Sequence, residues 1–252
     1  MPTIHFLGRV LPEVAKVSLG HKPMLKWESP DIGLIMEFTN HITDSRIDVE
    51  CRLNRWAPDD FVHVYMRAVD LCRASVNVVA FAMGCGLTAF LDTFVDPNGM
   101  HSPMLCGDDR LRPLCTAFTL TTGFDEVHAM VLQNPTLFMA LNDLILAITL
   151  PHVSSVNCAR AMERLRQLIA PDGGKDKKAW RQMRETLRID EPYLKYITQH
   201  SVGPRHGSPV HVPGVVTTEV TRRAWIIMNR YFEYRKRGGA PLESAEFPLL
   251  TQ

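Results

Sequence analysis

The sequence has no CxxC pair among its six cysteines, Cys51, Cys72, Cys85, Cys106, Cys115 and Cys158, which removes zinc ribbons and dithiol redox motifs. It has no GxxxxGK[ST], no GxGxxG and no GxSxG, so ordinary nucleotide hydrolases, Rossmann dehydrogenases and α/β-hydrolases are excluded as first readings. HExxH is absent as well. There is no internal repeat and no low-complexity tract. The opening MPTIHFLGRV lacks a basic stretch followed by an apolar one, so no secretory signal is expected. A cytoplasmic, reducing setting with mostly buried thiols follows as the expectation. Residues 74–91 carry no charge, but Asn77, Gly84, Gly86 and Thr88 interrupt them. They read as a buried helix running into a strand rather than a membrane span.

What is present is an ordinary globular mixture. The 252 residues are 46% hydrophobic and 22% charged, enough for a real core. A net charge of +1 hides an asymmetry: residues 151–252 hold 17 Lys and Arg against 10 Asp and Glu, and the first 150 hold 11 against 17. A basic half of this kind suits an anionic partner, or simply attracts the acidic half.

The first part reads as strands and turns. In 45–53, Arg46, Asp48, Glu50 and Arg52 alternate with Ile47, Val49, Cys51 and Leu53, a period of two that puts one face on a core. Segments 4–10, 24–27 and 33–39 are its expected neighbours. Pro58-Asp59-Asp60 opens a helix, with Asp59 as its expected cap, running over 61–83 and apolar almost all round. Gly84-Cys85-Gly86 ends it. Strands are then expected over 87–95, 100–106 and 115–122.

From residue 125 the pattern is helical. Segments 125–133 and 136–150 are divided by Asn134-Pro135. A third helix reaches Ala170 from a cap at Ser154 or Ser155, and Arg160 and Glu163 are placed to pair across one turn of it. Helices follow over 176–189, with Trp180, Met183 and Leu187 at core spacing, and from Asp190-Glu191-Pro192 to about Ser201. Thr217 is expected to cap the last helix, whose buried stripe is Val220, Ala224, Ile227, Met228 and Tyr231. The expected architecture is α+β: an N-terminal domain over 1–124, an antiparallel sheet with a long buried helix, followed by an all-helical bundle over 125–252.

One stretch differs from its surroundings. HSVGPRHGSPVHVPG, residues 200–214, holds three histidines, one arginine, three prolines and three glycines between helices. The spacings of His200, His206 and His211 fit no zinc pattern and no carboxylate accompanies them, so no metal and no cofactor is expected. A Cys–His nucleophile pair requires only that the two meet in space, and no cysteine is singled out. Arg222, Arg223 and Arg230 lie on the last helix with Tyr231, Phe232 and Tyr234. Basic side chains next to aromatics suit RNA; basic groups late in a helix also complement its dipole.

The ARAMERLRQLI stretch (159–169), a Trp-containing second helix and an Arg-His-Gly segment before a last amphipathic helix resemble a HEPN-type helical domain over roughly 136–238. The whole chain is also similar to a group of uncharacterised bacterial proteins in which a sheet-plus-helix module precedes such a bundle. The HEPN resemblance implies RNA binding or metal-independent RNA cleavage in a defence or stress setting, with a site built from an Arg and a His separated by four to six residues. Arg205 and His211 have that spacing, and His206 lies between them. A second register ends on His206-Gly207, with Gln199, His200 and Ser201 where an Arg is required. The Arg would hold the scissile phosphate and the His would move a proton. Arg160, Glu163, Arg222, Arg223 and Arg230 are the accompanying RNA-binding candidates. Such sites often form across a dimer, so a homodimer is a further expectation and a membrane partner is not. The alternative reading is a non-catalytic module or sensor that contacts a protein partner.

Overall fold

In the computed structural model, which describes residues 1–20, 22–104, 110–171, 177–207 and 212–251, the chain divides into two compact units, Met1–Cys106 and Gly107–Gln252. The first is the expected α+β unit. Its sheet has six antiparallel strands, β1 (Thr3–Leu11), β2 (Met24–Ser29), β3 (Leu34–Thr43), β4 (Arg46–Leu53), β5 (Thr88–Val95) and β6 (His101–Pro103), in the order β2-β3-β4-β1-β5-β6. Alternation sets the buried face: Ile47, Val49, Cys51 and Leu53 of β4 point into the core, as do Leu34, Met36, Phe38 and Ile42 of β3. The same face of β3 carries Asn40, fully buried, which donates to Ser75 Oγ at 3.2 Å on the covering helix. That bond satisfies an amide that would otherwise be costly to bury. A bulge between Leu7 and Gly8 shifts the β1–β5 register.

The covering helix is α1 (Phe61–Met83). It packs through Val64, Ala68, Leu71, Cys72 and Val76, a three- and four-residue spacing. Pro58–Asp60 forms a 3-10 turn before it. Asp60 rather than Asp59 organises this start: its carboxylate accepts from Ala57 N at 3.0 Å and from Arg55 Nη1 at 2.6 Å. Gly84, at φ +64, ends the helix as expected. The expectation of deep burial holds only for the first half, because Val78, Phe81 and Met83 are exposed.

The second unit contains α2 (Phe124–Gln133), α3 (Pro135–Thr149), α4 (Ser154–Ile169), α5 (Lys177–Leu187), α6 (Glu191–Gln199), α7 (Val202–Arg205) and α8 (Gly214–Lys236). It begins before the expected boundary near residue 125. Segment 115–122 is not a strand; it follows a 3-10 turn at Arg112–Leu114 and is held by Asn229 Oδ1, which accepts from Thr116 N and Ala117 N, both at 2.9 Å. With its amides bound to a helix side chain, it belongs to the bundle. Asn134 caps α3 by accepting from Leu137 N at 3.0 Å, and the α2–α3 pair bends by 111° there. Among the described residues no single helix is long and apolar enough to cross a membrane.

Helix α4 is central, packed against α3, α5, α6 and α8. Leu137, Leu144, Met162, Leu165, Met183, Ile197, Ala224, Ile227 and Tyr231 make one core. Two expected caps are corrected. Ser154 lies inside α4, bonded to Thr221 Oγ1 at 2.9 Å, and Thr217 lies inside α8, which starts three residues earlier at Gly214. Both side chains are buried, and Thr221 Oγ1, the partner of Ser154, donates to the backbone carbonyl of Thr217 at 2.9 Å.

Candidate anion-binding cleft of the helical unit

Three short helices and one face of α4 enclose a cleft of about 910 Å³. Its construction follows from local sequence. Asp190 accepts from Tyr193 N at 2.7 Å and caps α6, with Pro192 in the first turn. The stripe Glu191, Leu194, Lys195, Thr198 and Gln199 then faces the cleft. Helix α5 contributes Lys177, Lys178, Trp180, Arg181 and Arg184 from the opposite side. Helix α7 adds Val202 and Arg205, and α4 adds Glu163.

The lining thus has six cations and two carboxylates. Arg205 Nη1 donates to Glu163 Oε1 at 2.7 Å, and Arg184 lies 3.1 Å from Glu191 Oε2. Arg181 pairs outward with Glu185 at 2.7 Å. Lys177, Lys178 and Lys195 have no carboxylate partner among the described residues. Unpaired cations in a concave site focus a positive potential on whatever enters. The ring of Trp180 is half-buried, and the guanidinium of Arg166 lies 5.2 Å from its centroid on the bundle side.

The sequence-derived candidates separate. Arg205 and Glu163 are in the cleft, and they bond to each other. His206 follows α7 and is exposed, outside the lining. His211 lies outside the described residues, so the Arg205–His211 pair has no described geometry. Arg160 does not pair with Glu163: its Nη2 lies 3.5 Å from Asp143 Oδ1 on α3, while Arg164 Nε donates to Asp143 Oδ2 at 2.9 Å. The carboxylate of Asp143 is buried and needs donors more than half-exposed Glu163 does.

Arg222 and Arg223 clasp Glu219. Arg222 donates through Nε at 2.7 Å and Nη2 at 2.8 Å, Arg223 through Nε at 2.6 Å, and these bonds, those from Arg222 foremost, hold the Glu219 carboxyl down to about 2. Arg223 also lies over Tyr193 and Tyr196, 4.7 and 4.2 Å from their centroids. Arg230 is buried and donates to three carbonyls, those of Leu187 (2.9 Å), Arg188 (2.6 Å) and Pro248 (2.6 Å). It ties the C-terminal tail to the end of α5, and at 5% exposure it is a structural group rather than a surface cation for an RNA phosphate.

Cysteine nucleophiles fare poorly. Burial pushes the Cys51 and Cys158 thiols up to about 12 and raises Cys72 further, so none of these three is a thiolate at neutral pH. Cys85 is exposed, and Cys106 lies outside the described residues. Among the described residues no three His, Cys, Asp or Glu side chains gather as metal ligands.

Five cations and the tryptophan of the cleft escaped the sequence reading. The signal was there: Lys177, Lys178, Arg181 and Arg184 surround Trp180 within eight residues of one helix.

Residues 4–105 match the N-terminal domain, and residues 124–236 the C-terminal domain, of a family described as a domain of unknown function, DUF8168. No curated protein and no solved structure matches. The first match falls on the sheet unit and the second runs from the start of α2 to the end of α8, so the chain carries both domains of the DUF8168 family, in that order.

Proposed function

We propose that the helical unit binds RNA in the cleft between α4, α5, α6 and α7. The observation that carries this reading is the set of six lining cations, three of them without a carboxylate partner among the described residues, around one aromatic ring. Phosphate contacts need such charge and unstacked bases need such a ring. The basic balance of residues 151–252 and the resemblance of 136–238 to HEPN-type domains support the same reading. Arg205 is then a phosphate contact that must first leave Glu163. Cleavage, a homodimer and a defence or stress role are further parts of that resemblance, and of these cleavage is tested along with binding.

The experiment is a titration of labelled RNA with the full chain over a range of salt concentrations. Each phosphate contact to a single strand adds about 0.7 to the slope of log affinity against log salt. Replacing Lys177, Lys178 and Lys195 with Ala removes three contacts, so the slope falls by about 2. Incubation of the same RNA with and without chelator reads cleavage, and Arg205→Ala reads whether Arg205 takes part. Absence of salt-sensitive binding sinks the RNA reading and leaves the protein-interaction module.

A further inference from the structure

The RNA reading of the cleft rests mainly on its cations, and the role of its ring in choosing between single strand and duplex is a further question. Trp180 bears on this. It is the aromatic ring on the cleft lining, and it packs partly against the bundle core. Arg166 beside it is only 2% exposed, and its Nε and Nη1 have no hydrogen-bond partner among the described residues. The ring, 5.2 Å away, is therefore the group this buried cation addresses. A ring backed on the bundle side by both the core and a buried cation loses little freedom when a second planar group stacks on it from the cleft. Its flanking residues on α5 are Lys177, Lys178, Arg181 and Arg184. At about 1.5 Å rise per residue these four lie within about 6 Å of Trp180 along the helix axis. Lys195 and Arg205 line other walls of the same cleft.

We infer that Trp180 is a stacking platform for an unpaired base, and that the cleft takes single-stranded RNA in preference to duplex. This rests on the RNA reading above. In an A-form duplex the base faces are covered by neighbouring pairs, and a protein meets mainly phosphates and 2′-hydroxyls. Such an RNA satisfies the cations and leaves the ring without a partner. A single strand satisfies both, with a base on Trp180 and its adjoining phosphates on the α5 cations and Lys195.

The test uses the full chain and two forms of one RNA, a short labelled single strand and the same strand annealed to its complement, each read by fluorescence anisotropy. The single strand should bind at least about ten-fold more tightly than the duplex. Trp180→Leu should weaken single-strand binding by about five- to 100-fold and leave duplex binding within about two-fold. Trp180→Phe, which keeps a ring, should retain most of the affinity. On the unmodified chain, a fluorescent base analogue placed in the strand should be quenched on binding, a readout that does not depend on any variant folding. Equal binding of the two forms, or an analogue that keeps its emission at saturation, overturns the stacking role. If binding in that case still loses its salt dependence with the triple lysine variant, the RNA reading stands without Trp180. If neither form binds in a salt-sensitive way, both fall.

Discussion

Glu163 Oε1 on α4 accepts from Nη1 of Arg205, the last residue of α7, at 2.7 Å. The pair sits on the wall of the cleft, where the carboxylate occupies the arginine that an incoming phosphate would use. Glu163→Gln should therefore raise RNA affinity several-fold at low salt and steepen the salt slope by about 0.7, since one more cation becomes available. Both side chains are partly exposed, at 29% and 42%, so stability should change by less than about 1 kcal/mol. Binding isotherms over salt and urea unfolding read the two effects separately.

Glu219 predicts an acid limb of stability. Its carboxyl is held down to about 2, against an ordinary value of 4.5, chiefly by the hydrogen bonds from Arg222. A carboxylate with a lowered folded value contributes fully above about pH 4.5 and loses its contribution as pH falls from there through about 2. Glu219→Gln should flatten the stability profile over that window by on the order of 1–2 kcal/mol, after allowance for screening by solvent. Urea unfolding at a series of acidic pH values is the measurement. Profiles that stay parallel would show the pair to be without energetic effect.

Arg230 should be structural and costly to lose. Burial lowers it to about 10, still charged at neutral pH, and it donates to the carbonyls of Leu187, Arg188 and Pro248. Arg230→Met keeps the bulk and leaves those carbonyls unserved, for a loss of about 3 kcal/mol. The tail should loosen as well. The amide of Leu250, which donates to Arg188 O at 2.9 Å, should exchange with solvent faster in the variant.

Gly8 should not tolerate a side chain. At the β1–β5 bulge a Cβ would run into the carbonyl oxygen of Phe90 and come within 2.7 Å of Leu91 Cα. Both obstacles are backbone in a central strand pair and do not yield as a flexible side chain would. Gly8→Ala should cost about 2–4 kcal/mol by urea unfolding. A change within about 0.5 kcal/mol would show that the bulge adjusts.

Local pattern announced the elements well where one periodicity acted alone. The alternation at 46–53 became β4, Gly84 stopped α1, Asn134-Pro135 broke α2 from α3, and the stripe from Val220 to Tyr231 lies in the bundle core. It misled where a residue had a choice of partners. Arg160 is one turn from Glu163, yet the buried carboxylate of Asp143 draws both it and Arg164. Trp180 keeps the helical spacing of Met183 and Leu187, which are fully buried, but its own ring ends at the cleft. Cys115 to Thr122 has strand-like residues, and Asn229, more than a hundred positions away, takes its amides.

By itself the sequence determined most of the strands and helices along the chain, most of their buried faces and the basic character of the second half, because period and composition act over a few residues. The cleft was decided by tertiary structure alone. Its cations come from α5, α6 and α7, its carboxylates from α4 and α6, and each helix taken singly shows only a charged face. Packing around Met162 and Leu165 of α4 brings those faces together, and desolvation selects which arginine meets which carboxylate. Pair energies of that kind depend on burial, which no spacing rule contains.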